Sequence, residues 1–257
     1  MAPLTLEQVL DELADLATVA HAQIIEFLFI RCALGNQEIA PEGADAVTRQ
    51  IAEAASGIGF SSRSEMRLLR QINHFLVAAG RDPSLARATH VESGAAPTTE
   101  LAPLTAAQLD GLLDHQLAIA RAVDERLAQL RARIEAQGAA VLGEDLAAQI
   151  GFILSFAPDH AAVITSLRDA LGTLTPSQYL PVNRDEPADD VERGLRDLSD
   201  RYYEFVIAVL HAGFANPDLE STMVGRIATG AMDAWDAVNS QLADRRLLPA
   251  FAPPSGF

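Results

Sequence analysis

The chain has one cysteine, Cys32, among its 257 residues. No disulfide can form within it and no thiolate metal cluster can be built. That usage suits a reducing compartment, and a cytoplasmic protein is expected. Positive charge is also scarce: 19 Lys and Arg face 35 Asp and Glu, for a net charge of −16. Such a surface repels phosphate backbones and anionic headgroups, which argues against nucleic acid and membrane as partners. Its plainest consequence is solubility. Long hydrophobic runs are missing. The most apolar stretches, "AQIIEFLFI" and "FVIAVLHAGFA", are well short of the roughly 20 residues of a membrane span, and each carries a polar residue. The opening "MAPLTLEQVLDELADLA" has neither a basic start nor an apolar centre, so no signal peptide is expected.

Alternating β-branched runs are scarce, and no short-period repeat is visible. There is no dinucleotide fingerprint, no catalytic Cys or Ser motif and no zinc-type spacing. "GIGFSSRS" places two glycines and several hydroxyls ahead of a helix, as an anion loop does, but lacks the phosphate-loop lysine. What remains is helix. Hydrophobic residues are 49% of the chain and charged residues 21%, the balance of a folded globular protein.

The helical period predicts a first helix over residues 5–33, with Thr5 as N-cap, Gln8 in the capping-box position and Gly35 as the stop. A helical stretch over 46–55 follows, then an interruption at Gly57 and Gly59. A second major helix covers 61–79, closed by Gly80. A long connection, 82–104, crosses to a third helix over 105–137, with Thr105 as its N-cap. A short helix over 144–156 meets Pro158, and the fourth helix continues to Leu171. Two more are expected at 189–214 and 219–243, then a Pro-rich tail. The pattern predicts one all-α domain over residues 1–257: a four-helix bundle at about 5–172, an additional C-terminal helical pair at 189–243, and a tail at 244–257.

Bundle cores build metal and substrate sites from inward carboxylates and histidines. Glu65 lies on the face of Leu69, Ile72 and Leu76. Gln116 lies among Leu112, Leu113 and Ala120, and His160 is in line with Ile153, Ile164 and Leu167. The first helix offers Ala20 at comparable depth, with His21 beside it and Glu26 towards the flank, about 140° from His21. A two-metal carboxylate centre needs a Glu from each of two helices and Glu-x-x-His from the other two. Here Glu65 is followed at the third position by Leu68, and His160 is preceded by Phe156 and Ala157. Two candidate ligands, Glu65 and His160, are too few for two dications. Tyr202, Tyr203 and Trp235 suit either core packing or the wall of a pocket.

At these residues a resemblance becomes specific. "ATVAHAQIIEFLFIRCALG", "SEMRLLRQINHFLVAAGRDPSL" and "DHAAVITSLRDALGTLTPSQYL" are similar to the first, second and fourth helices of a ferritin-like domain family. Its type is the domain of violacein-type iminophenyl-pyruvate dimer synthases. "RYYEFVIAVLHAGFA" and "MDAWDAVNSQLADRRLLPAFAPP" resemble its closing helices. The likeness places the family's helix-one Glu on Ala20 and its His on His21. The helix-two pair falls on Glu65 and Leu68. The helix-three Glu falls on or near Gln116, with Asp114 and His115 adjacent, and the helix-four pair on Phe156 or Ala157 and on His160. Every departure removes a metal ligand.

The resemblance therefore implies an enzyme of bacterial specialised metabolism that has lost its two-metal chemistry. It would act on a small organic molecule inside the bundle by metal-independent condensation, cyclisation, dehydration or isomerisation. Glu65 and His160 would be the acid/base pair. Gln116, His21, Ala20, Leu68, Ala157 and Phe156 would surround the substrate, in a pocket made roomier by the lost ligands. No cofactor is expected. Two alternatives stand. One is an oxidase or oxygenase with a single iron or copper held by Glu65, His160 and one of His21, Glu26, Asp114 or His115. The other is a non-catalytic small-molecule binding or scaffold protein. A homodimer fits any of the three.

Overall fold

The computed structural model describes residues 4–91, 99–100, 104–109 and 111–251. Helix α1, Leu6–Ala33, starts at Thr5, whose hydroxyl accepts from the Gln8 amide at 3.2 Å while the Gln8 side chain accepts from the Thr5 amide at 3.1 Å. This reciprocal cap satisfies two donors that the first turn leaves open. Gly35, at φ +98°, turns the chain out of the helix. By length and composition α1 could cross a membrane, but 83% of its apolar stretch is buried within the protein.

Helix α2, Ala46–Ala78, is continuous, so the interruption expected at Gly57 and Gly59 is absent. Two mid-helix glycines cost about 1 kcal/mol each against alanine. Burial of Ala54, Ala55, Ile58, Leu68, Ile72 and Leu76 against the core offsets this. Gly59 has a further use. A Cβ there would collide with the Glu38 carboxylate, which lies along the helix and pairs with Arg31 and Arg63.

The connection after Gly80 contains the one strand pair among the described residues. In it β1, His90–Val91, runs antiparallel to β2, Thr99–Glu100. The third helix, α3, Leu112–Arg133, begins later than residue 105. Residues 106–108 form a single 3-10 turn, and Gly111 at φ +81° separates it from the helix. A π-turn at Ile134–Gly138 leads into α4, Ala139–Leu142, and Gly143 at φ +87° starts α5, Glu144–Leu154. The fourth bundle helix is thus divided. The chain leaves helix before Pro158, and α6, His160–Leu171, restarts with Asp159 accepting from the Ala162 amide at 2.8 Å. After α7, Pro176–Tyr179, the closing helices are α8, Asp190–Ala215, α9, Pro217–Thr222, and α10, Thr229–Asp244, the last two joined by a π-turn at Met223–Ala228.

The architecture is an all-α helical bundle. α1 packs along α2, α2 against α6, and α6 against α3. α8 and α10 pack on each other and meet the bundle through α2 and α1 respectively. Arg31 at the end of α1 fixes α10 by an ion pair to Asp236, and Asn36 adds a 2.6 Å hydrogen bond to Ser240. Residues 247–251, expected in a Pro-rich tail, are part of the core. Leu247, Leu248 and Phe251 are buried, and Phe251 packs edge-on to Trp235 and Phe29. Backbone bonds of 3.0 Å between Arg184 and residues 246 and 248 hold this segment in place. The rest of the expected tail, 252–257, lies outside the described residues.

Candidate functional site

Glu65 and His160, 95 residues apart, meet in the bundle with His160 Nε2 at 2.5 Å from Glu65 Oε1. Glu65 comes from the middle of α2. His160 is the first residue of α6, positioned by the break at Pro158 and the cap at Asp159. Both side chains are sealed from solvent. The other ring nitrogen, Nδ1, lies 2.6 Å from Asp124 Oδ1 on α3. Asp124 also accepts from the backbone amides of His160 at 3.2 Å and Ala161 at 2.8 Å, so it caps α6 from a neighbouring helix. Burial by itself would lower the His160 pKa. The charge of Glu65, then the hydrogen bonds to Asp124 and Glu65, overcome it and push the pKa up to about 9. The ring is therefore an imidazolium with both N–H groups donating. Burial would raise Asp124, but the His160 ring and the Ala161 amide hold it below the ordinary carboxylate range.

This unit ties α2, α3 and α6 together. Asp124 was not legible as part of it. It lies beside Val123 on the flank of α3, and its partners come from α6.

The other candidates scatter. Gln116 is buried with neither amide atom in a hydrogen bond of good geometry, although it lies near enough to Glu26 to act on that carboxyl. Ala20 and Leu68 are buried in the packed core. Phe156 and Ala157 lie in the turn between α5 and α6, half-buried, so the helical face expected to carry them is absent. Phe156 packs edge-on to the exposed Phe152. Asp114 is exposed and pairs with Arg168 at 2.8 Å, and His115 is half-buried.

Glu26 does face inward and accepts from Gln23 at 3.0 Å. Burial raises its pKa to about 7, against the opposing pull of Gln116, Arg87 and Gln23. Among the described residues no three His, Cys, Asp or Glu side chains converge as a metal-binding set. His160 spends both ring nitrogens on carboxyls, and His21 spends both of its own elsewhere. The residues weighed as iron or copper ligands therefore do not fit such an ion as they stand.

His21 is buried and neutral. Its Nδ1 lies 2.7 Å from the Leu85 carbonyl, which can only accept, so Nδ1 carries the proton. Nε2 is then bare and accepts from the Tyr203 hydroxyl at 2.9 Å. Burial, outweighing the bond to Leu85, lowers the His21 pKa to about 4, and burial pushes Tyr203 up to about 12. The Tyr203 ring stacks on Trp235, with centroids 5.7 Å apart and an interplanar angle of 24°. Trp235 in turn donates to Ser199 at 2.9 Å, which donates to Asn239 at 2.7 Å. Two closing helices thus hold the aromatic pair against α1.

His21, Tyr203 and Trp235 border a cavity of about 340 Å³ between α1, α2 and the closing helices. Its walls are mostly apolar, from Ile24, Met66, Leu69, Val206 and Phe214 among others, with Arg67 and Arg70 at the side of α2. Glu65 and His160 line neither this cavity nor the others near α6 and the chain turns. Of the residues expected around a substrate, the structure brings His21 to this cavity.

Compared with models of protein families, with curated proteins and with solved structures, the chain matches none of them.

Proposed function

We propose that the protein binds a small, mostly apolar organic molecule in the cavity between α1, α2 and the α8–α10 pair. One observation carries this reading. On the wall of a mostly apolar cavity of about 340 Å³, the polar groups of Tyr203 and His21 are already locked to one another. Small-molecule sites are of this kind, with volumes from about 300 Å³ upward and few but fixed polar groups. Binding fits these groups better than proton transfer. A general acid or base works best with a pKa near the working pH, and His21 at about 4 and Tyr203 at about 12 lie on either side of it.

Titration with the neutral dye N-phenyl-1-naphthylamine tests the reading. Saturable 1:1 binding is expected, abolished when Leu210, a wall residue on α8, is changed in a Leu210→Trp variant that fills the cavity while keeping wild-type helicity. Equal binding by that variant would refute it.

A second reading, a metal-independent acid/base enzyme using Glu65 and His160, is favoured by the direct meeting of that carboxyl and imidazole in the bundle interior. On this reading the helices part to admit the molecule, and Glu65→Gln abolishes turnover of a substrate, once found, without unfolding the chain. Full activity in that variant rejects it.

A further inference from the structure

Resting on the cavity reading above, we propose that the ligand is a hydrophobic monocarboxylic acid whose carboxylate lies on Arg67. Two observations lead there. Arg67 lines the cavity, is exposed on α2, and has no ion-pair partner among the described residues. The neighbouring cation, Arg70, is spent on Glu220 at 2.8 Å.

The remaining wall then fixes the shape of the ligand. Ile24, Met66, Leu69, Val206, Phe214 and Trp235 present hydrocarbon, sulfur and ring faces suited to an unbranched or aromatic apolar body. The Tyr203 hydroxyl already gives its proton to His21, so it is left with acceptor capacity towards the cavity. It is therefore a poor anchor for an anion. The carboxylate belongs at the arginine end, where the planar guanidinium matches it fork to fork. One free cation on the cavity wall, among the described residues, suits a monoanion. A phosphate dianion would leave charge uncompensated on an acidic surface.

Trp235 is the chain's single tryptophan and borders the cavity, so its emission reports occupancy. The probes are decanoate and decanol, which differ in head group and share the same chain. They are titrated into the wild type, Arg67→Gln and Arg63→Gln, the last an exposed arginine of α2 that lies outside the cavity wall. Decanoate is expected to bind the wild type about five-fold more tightly than decanol, the upper end for an exposed ion pair. Arg67→Gln should erase that preference with decanol affinity unchanged, and Arg63→Gln should retain it. Equal affinities in the wild type, or a preference that survives Arg67→Gln, overturns the carboxylate assignment and leaves the cavity reading standing. Failure of both probes to give a saturable response refutes the cavity reading and this inference with it.

Discussion

Asp124 holds His160 at two points, accepting from its ring Nδ1 at 2.6 Å and from its backbone amide at 3.2 Å. One side chain on α3 therefore sets both the start of α6 and the direction of its first imidazole, whose far nitrogen reaches Glu65. A ring held from both sides in this way is rigid and fully satisfied. Its removal exposes two carboxyls to each other without a cation between them.

His160→Ala should for that reason cost about 3–5 kcal/mol in urea denaturation, the range for breaking a buried ion pair. The double variant Glu65→Leu with His160→Leu should be less damaging than the sum of the two single leucine variants, by at least about 1 kcal/mol. Strict additivity would show that the two side chains do not act as a unit.

The raised pKa of His160 gives a pH dependence whose sign is fixed. A group with a folded pKa of about 9 against about 6.5 unfolded binds its proton more tightly when folded. Its stabilisation is complete below pH 6.5 and is lost as pH rises through about 9. Comparing the wild type with His160→Gln cancels the titrating groups that do not touch His160. Their difference in unfolding free energy should shrink by about 3 kcal/mol between about pH 6.5 and 9.5, because each tenfold gain in proton affinity is worth about 1.4 kcal/mol. A constant difference across that interval contradicts an imidazolium at this position.

Tyr203→Phe removes the donor to His21 Nε2 and leaves a buried acceptor without a proton. The expected cost is about 1–3 kcal/mol, with the His21 bond to Leu85 retained. Thermal denaturation at neutral pH measures it. A variant as stable as the wild type would mean that water replaces the hydroxyl, and hence that the cavity is wet at that end.

Phe251→Ala should cost about 3–5 kcal/mol, as other buried Phe truncations do. It should also shift Trp235 emission, because the two rings touch edge to face with centroids 5.5 Å apart. A loss under about 1 kcal/mol would show that this segment lies loosely on the bundle.

The amino-acid order alone fixes what depends on near neighbours. The helical period, the Thr5–Gln8 cap, the left-handed stops at Gly35 and Gly80, and the break at Pro158 are written within a few residues, and these define an all-α chain. The inward direction of Glu65, Gln116 and His160 also follows from period alone, since a helix face is a local property. Tertiary structure decided the rest. Gly57 and Gly59 are helical because burial along α2 outweighs their local cost. Asp124 joins Glu65 and His160 across 59 and 36 residues of chain, distances at which no spacing rule operates. His21 turns to Tyr203, 182 residues away, and the cavity opens there, between α1, α2 and the closing helices. A cavity is space left over after many side chains have settled against one another. Its position belongs to their joint packing and to no single stretch of sequence.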